Sequence, residues 1–210
     1  MIPMMLRSAF HVPALLALFL WVAPATTADE SPADPAARQI AIFHDSLLNS
    51  MKRANQLGVA GRYRLLKPVL EQTFDFRAMT AAVVGIGFDS YSDGDKRSLE
   101  QAFERMTIAT YARNFDDYSG QRFTMSPNVA VRGDHKLVQT TLVTAKEAHA
   151  FSYVMHPVAG SWKVIDILLE GYVSQMATKR SEYAATLAQG GPAALVSELN
   201  QISDRLMAAN

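Results

Sequence analysis

Ser161-Trp162-Lys163-Val164-Ile165-Asp166-Ile167-Leu168-Leu169 is the stretch that decides the fold. It is short and apolar, and it follows a break over Pro157 to Gly160, so it reads as a strand. The stretches before it carry the same signal. Residues 122–132, 136–144 and 147–156 read as three further strands, broken at Gly133-Asp134 and near Ala145-Lys146. Two of these breaks are short enough for hairpins, which predicts an antiparallel meander of about four strands.

Both faces of 161–169 are largely apolar. Trp162, Val164 and Leu168 fall on one face, and Ile165, Ile167 and Leu169 on the other. A solvated antiparallel sheet alternates polar and apolar residues. Two arrangements account for the departure: helices packed on both faces, or a sheet that curls around an interior. In 147–156, Phe151, Tyr153 and Met155 share a face and suit either a core or a pocket wall.

Helical patterns flank the strands. Asp34-Pro35 reads as an N-cap followed by Pro at the first helical position. The helix it opens carries Ile40, Phe43, Leu47 and Met51 as its stripe and runs to about Leu57, with Gly58 as its stop. Two shorter helices are expected around 65–74 and 76–84, ended by Gly85 and Gly87. Ser92 with Asp95 resembles a capping box and opens a helix to about Tyr118, with Leu99, Phe103, Met106, Thr110 and Tyr111 facing inward. After the strands, a helix over 173–188 ends at Gly190-Gly191, and another runs from Pro192 to about Ala208. Helices, a meander and helices again give a single α+β domain over 35–208.

The N-terminus reads as a secretory signal over 1–28. Arg7 supplies a positive start, Val12 to Val22 an apolar run, and cleavage is expected after Ala25 or Ala28. That run is too short to span a bilayer. Residues 29–34 (DESPAD) read as a flexible mature N-terminus. The chain has no cysteine, which excludes both a disulfide framework and lipid attachment through an N-terminal Cys. Twenty basic residues balance twenty acidic ones, so no nucleic-acid partner is expected.

Little in the sequence points to covalent chemistry. His11, His44, His135, His149 and His156 show no metal-ligand spacing, and no cofactor or metal is expected. No nucleophile elbow, phosphate-binding glycine loop or dinucleotide fingerprint occurs. Asp166, inside the most apolar strand and on the face of Trp162 and Val164, has two readings. It is either a general base acting on an apolar substrate or a structural partner for an Arg or for backbone N–H groups. Arg180 falls on the apolar stripe Val173, Met176, Tyr183, Ala184 and Leu187, and a guanidinium aimed at a core needs a carboxylate. An ion pair of Arg180 with Asp166 first, or with Glu170, is therefore expected, unless Arg180 reaches solvent along the helix edge.

Four segments carry a family resemblance. Phe74-Asp75-Phe76-Arg77-Ala78-Met79, followed by Val84-Gly85, resembles the "FDF…lG" signature of the periplasmic MlaC proteins, also called the toluene-tolerance family. Trp162 to Gly171 is similar to that family's "WKvyDv.ieG" strand. Arg180 with Tyr183 resembles its "YR.qF" helix, and Gly190-Gly191 to Leu199 its "Gl..Li..L" ending. Leu57 to Tyr63, Thr107 to Arg113 and Tyr118-Ser119-Gly120 are similar to the hopanoid-associated HpnM branch. The chain departs from the phospholipid-type pattern at Lys179, where an aromatic is usual, and at Tyr172-Val173, where Ser-Leu is usual.

The resemblance implies a periplasmic, non-catalytic shuttle with a cone-like α+β fold similar to the NTF2-like architecture. Its ligand would be a phospholipid or a hopanoid-type lipid. Its partners would be an inner-membrane transporter of MCE or RND type and an outer-membrane lipoprotein complex. A lipid pocket is expected between the sheet and the helices of 62–118. Its wall should draw on Phe74, Phe76, Met79, Val83, Phe103, Met106, Phe151, Tyr153, Met155, Trp162 and Val164.

Overall fold

One irregularity in 161–169 sets which of its side chains share a face with those of 148–158. The computed structural model describes residues 34–208, and the expected signal segment 1–28 and residues 29–33 lie outside the described residues. The helices are α1 (Pro35–Lys52), α2 (Ala54–Thr73), α3 (Phe76–Val84), α4 (Asp93–Asn114) and α5 (Gln175–Ala208). A short 3-10 turn (Ile86–Ser90) precedes α4. The strands are β1 (Arg122–Met125), β2 (Ala130–Arg132), β3 (His135–Val143), β4 (Ala148–Val158), β5 (Ser161–Leu169) and β6 (Val173–Ser174). They form one antiparallel sheet in the order β1-β3-β4-β5-β6, with β2 also paired to β3. The chain is α+β, as expected.

Two strand expectations need correction. Residues 122–132 are not one strand. Met125 faces Thr140 and Ala130 faces Leu137, so the outer chain uses two more residues than β3 between these pairs. Pro127, which has no N–H to donate, sits in that excursion. In β5, Val154 faces Asp166 but Met155 faces Val164, which leaves Ile165 as a bulge. A bulge inverts the alternation of side chains beyond it. Pro157, Met155, Tyr153 and Phe151 therefore face Trp162, Val164, Ile167 and Leu169 across the ladder. The apolar residues that sequence alternation divides between two faces are gathered onto one. Asp166 and Leu168 face Val154 and Ser152 on the other side.

The helices begin where their caps say. Asp34 accepts a hydrogen bond from Ala36 N at 2.8 Å. Ser92 accepts from Asp95 N at 3.1 Å and donates its hydroxyl to Asp95 Oδ2 at 2.7 Å. Their ends differ from expectation. α1 stops at Lys52, where Arg53 leaves helical geometry (φ −108°, ψ 13°), and Gly58 (φ 59°) interrupts α2 instead of ending α1. α4 stops at Asn114, and Val173-Ser174 pair as a strand before α5 starts. Gly191 (φ 62°) breaks α5 at the place the Gly-Gly-Pro run indicates.

Phe43 of α1 is fully buried and organises the core. Its ring meets those of Phe74, Tyr111 and Tyr153 edge-on at 5.3, 5.4 and 6.2 Å, the geometry that aromatic quadrupoles favour. Phe74 also bridges to Val164, and Asp75 N donates to Val164 O at 2.9 Å, so the segment between α2 and α3 is pinned to β5. Among the described residues, no helix is long and apolar enough to cross a membrane.

Candidate functional site

Between the sheet and helix α4 lies a cavity of about 350 Å³. The face of α4 that carries Phe103, Met106, Thr107, Thr110, Tyr111 and Asn114 forms one wall. The opposite wall is Phe151 and Tyr153 of β4 with Ile167 and Leu169 of β5, brought to one face by the Ile165 bulge. Leu47, Phe74 and Met79 also line it, as do Phe115 and Phe123, and Gln175, Met176 and Lys179 of α5 complete it. The lining is predominantly aliphatic and aromatic, with few polar side chains, as ligand pockets usually are.

Of the residues expected in this wall, Phe74, Met79, Phe103, Met106, Phe151 and Tyr153 line the cavity. Phe76, Val83, Met155 and Val164 are buried in solid core and do not border it. Trp162 lies under the Lys136 ammonium, 4.4 Å from its ring, on the margin of the core. The reason is register. On β5 the cavity begins beyond the bulge, so Trp162 and Val164 precede it. The α4 residues beyond Met106 extend the stripe already legible at Thr110 and Tyr111. Gln175 and Lys179 carry no apolar signal that would mark them.

Burial keeps the interior uncharged. His44 and the Tyr153 hydroxyl are hydrogen-bonded at 3.0 Å, and the His44 ring stacks on Phe123 at 3.9 Å. Desolvation lowers the His44 pKa to about 3, so the imidazole is neutral. Burial likewise raises the phenols of Tyr111 and Tyr153. None of these groups is poised to exchange a proton near neutrality. Among the described residues that line the cavity, Lys179 is the one charged side chain. No group of three metal-binding side chains occurs among the described residues.

The expected ion pair is corrected. The bulge turns Asp166 away from the cavity face. Its Oδ1 accepts from Ile167 N at 2.7 Å and Met176 N at 3.1 Å, and its Oδ2 from the Ser174 hydroxyl at 2.5 Å. It fastens the start of α5 to β5 and does not line the cavity, so the general-base reading loses its geometry. Glu170 is exposed at the β5–β6 turn. Arg180 bonds neither carboxylate. Its Nε donates to Ala82 O at 2.8 Å, at the end of α3, and the side chain lies along the protein edge in solvent. Among the described residues, the arginine that is buried is Arg62, which donates to Ala112 O at 2.7 Å and Ala54 O at 3.2 Å.

A largely apolar cavity between a sheet and its helices, with a single cation in its lining, defines a small-molecule-binding α+β protein. The sequence model of the MlaC protein family matches residues 43–201, and the chain belongs to the MlaC family. Its structure is similar to that of the phospholipid-binding protein from Ralstonia solanacearum, solved in complex with a phospholipid. The TM-score is 0.71 at 21% sequence identity, and the alignment covers 83% of this chain and 99% of that one. No curated protein matches the chain.

Proposed function

We propose that this protein is a lipid carrier that shelters hydrocarbon in the cavity between α4 and the sheet and performs no covalent chemistry on it. The observation that carries the reading is the lining itself, predominantly aromatic and aliphatic. The need for shelter is energetic. Exposing hydrocarbon to water costs about 0.8 kcal/mol per methylene. A two-chain lipid with roughly 30 methylenes thus loses on the order of 20 kcal/mol. Met79, Met106 and Met176 in its wall are flexible enough to repack around acyl chains of different shape.

Family membership and the phospholipid held by the Ralstonia solanacearum protein favour a phospholipid. The resemblance of 57–63 and 107–113 to hopanoid-associated relatives favours a hopanoid-type lipid. The N-terminal signal reading places the carrier in the periplasm, with cleavage leaving one lipid-binding domain over 35–208. There it would move lipid between an inner-membrane transporter and an outer-membrane complex.

The test is to fill the cavity. Organic extraction of the purified protein should release stoichiometric lipid, identified by mass spectrometry. Thr110→Trp places an indole in the lining and should lower bound lipid at least fivefold (roughly) without lowering the thermal midpoint. Thr110→Phe serves as a milder plug. Wild-type protein that binds no lipid, or a folded Trp variant with its full lipid load, overturns the reading.

A further inference from the structure

We propose that the hydroxyls of Thr107, Tyr111 and Tyr153 form a neutral-oxygen subsite inside the cavity, which recognises an alcohol or ketone set within the hydrocarbon body of a lipid. The inference rests on the carrier reading and concerns which hydrocarbon the interior prefers.

A cavity built for plain hydrocarbon needs no free hydroxyl in its wall, because an unpaired buried polar group costs stability until something binds it. Four hydroxyl-bearing side chains line this cavity: Thr107, Thr110, Tyr111 and Tyr153. Thr110 is spent within α4, where its hydroxyl donates to Met106 O at 2.8 Å. Thr107 and Tyr111 are not. They stand one turn apart on the cavity face of α4, and neither hydroxyl has a hydrogen-bond partner among the described residues. Thr107 is 9% exposed, so bulk solvent does not serve it. The Tyr111 ring is wedged among those of Phe43, Phe74 and Phe115, at 5.4, 5.9 and 5.6 Å. Burial raises its phenol, and no bond offsets that cost.

Tyr153 completes the group. Its ring and that of Tyr111 both meet Phe43 edge-on, and Tyr111 is near enough to oppose ionisation of Tyr153. The Tyr153 hydroxyl is engaged once, with His44 at 3.0 Å, and a phenol oxygen so engaged can take a second bond. Charge sets what fits. The imidazole behind Tyr153 is neutral, so a carboxylate or phosphate brought here would be desolvated without a cation to meet it. Hydroxyls suit a neutral oxygen instead. Along α4, Phe103 and Met106 line the cavity before this pair and Phe115 lines it after, so the oxygen is flanked by hydrocarbon and is not a head group. Alcohol and ketone share an accepting oxygen, and the alcohol also donates.

The experiment loads the purified protein from detergent micelles and quantifies each ligand by native mass spectrometry. The probes are stearate, hydroxystearates with the hydroxyl near the head, middle or tail of the chain, and the matching oxostearates. A dioleoyl phospholipid serves as the control for carriage itself. In the wild type at least one oxygenated chain should load as well as stearate or better. In the double variant Tyr111→Phe with Thr107→Val, which keeps the ring and the branched shape, that chain should lose about tenfold relative to stearate, the scale of a hydrogen bond or two. A gain for hydroxy and oxo chains alike assigns the wall as donor, and a gain for the hydroxy chain alone adds an accepting oxygen; both support the subsite. Lipid-free Tyr111→Phe should melt no lower than the wild type, because its hydroxyl has no partner to lose. A clear fall in that midpoint, stearate outloading every oxygenated chain in the wild type, a loading ratio unchanged in the double variant, or a protein that takes the phospholipid but no fatty acid overturns the subsite and leaves the carrier intact. Failure of the phospholipid and of every fatty acid to load overturns the carrier reading itself.

Discussion

Two helices that wall the cavity end on an arginine. The last turn of α4 is held by Arg62, whose guanidinium donates to Ala112 O at 2.7 Å. The last turn of α3 is held by Arg180, which donates to Ala82 O at 2.8 Å. The chemistry is the same: a cation meets a carbonyl that lacks an intrahelical partner, at the negative end of the helix dipole. The surroundings are opposite. Arg62 is 6% exposed, and Arg180 stands in solvent. Among the described residues, neither bonds a carboxylate. The difference teaches that solvent, more than the charge or its partner, sets what such a bond contributes. In the interior a lost donor leaves a carbonyl unsatisfied, whereas at the surface water takes its place.

The largest effect is therefore expected at Arg62. Arg62→Met keeps the aliphatic stem but strips Ala112 O and Ala54 O of their donor. Losing a charged, buried hydrogen bond of this kind costs about 2–3 kcal/mol. Urea unfolding should show the loss as a lower midpoint at constant slope. Arg62→Lys should recover little, because an ammonium cannot reproduce the fork that reaches two carbonyls at once. A midpoint within error of wild type would break the comparison at its stronger end.

His44 sharpens the same contrast with a group that titrates. Its pKa falls to about 3 in the fold through burial, against an ordinary 6.5. The unfolded chain thus takes up the proton first as pH drops, and stability is lost between those two values and is intact above the upper one. At one proton and about 1.4 kcal/mol per pH unit, the loss by pH 4.5 reaches roughly 2–3 kcal/mol. His44→Gln retains a hydrogen-bonding side chain for Tyr153 without the titration. Its unfolding free energy should lack this part of the acid slope. Equal slopes for the two proteins between pH 6.5 and 4.5 would show that His44 is not buried neutral. The Asp34 carboxyl, held below its ordinary value chiefly by the Lys136 ammonium and by Ala36 N against the raising effect of burial, loses its contribution only at lower pH.

What the sequence made legible follows the same division. Caps were readable because they are local: Asp34 and Ser92 start helices through bonds to residues two and three positions on. The α4 face of the cavity was readable because its period is unbroken from Phe103 to Tyr111. The β5 wall was not, because a single bulge residue, Ile165, exchanges the faces of everything after it, and alternation counted along the chain carries no mark of where the partner strand skips. That error propagated. It put Asp166 on the cavity side, and the carboxylate there invited both a catalytic role and an arginine partner. The buried arginine among the described residues, Arg62, precedes the helical stripe that the sequence marks from near Leu65. A guanidinium satisfied by carbonyls leaves no complementary charge in the sequence to find.

The smallest effect is expected at Arg180. On an apolar stripe beside Asp166, its loss would orphan a buried carboxylate and cost about 3–5 kcal/mol. The structure removes both premises. Asp166 is satisfied by Ile167 N, Met176 N and the Ser174 hydroxyl, and none of these bonds depends on Arg180. What Arg180→Met forfeits is one bond to Ala82 O from an exposed side chain, which water replaces, so the loss should stay below about 1 kcal/mol. For a chain of this length that is a thermal shift of less than roughly 4 °C. Asp166→Ala, by contrast, removes the acceptor that joins β5 to the start of α5, a cap-type loss of about 1–2 kcal/mol. Measured together, the variants separate the two geometries. If Arg180 and Asp166 formed a pair, the double variant would fall short of the sum of the singles by more than ~0.5 kcal/mol, whereas residues with separate partners add. A thermal midpoint for Arg180→Met as low as that of Arg62→Met would mean that solvent does not decide between the two arginines, and the contrast between the ends of α3 and α4 would fail.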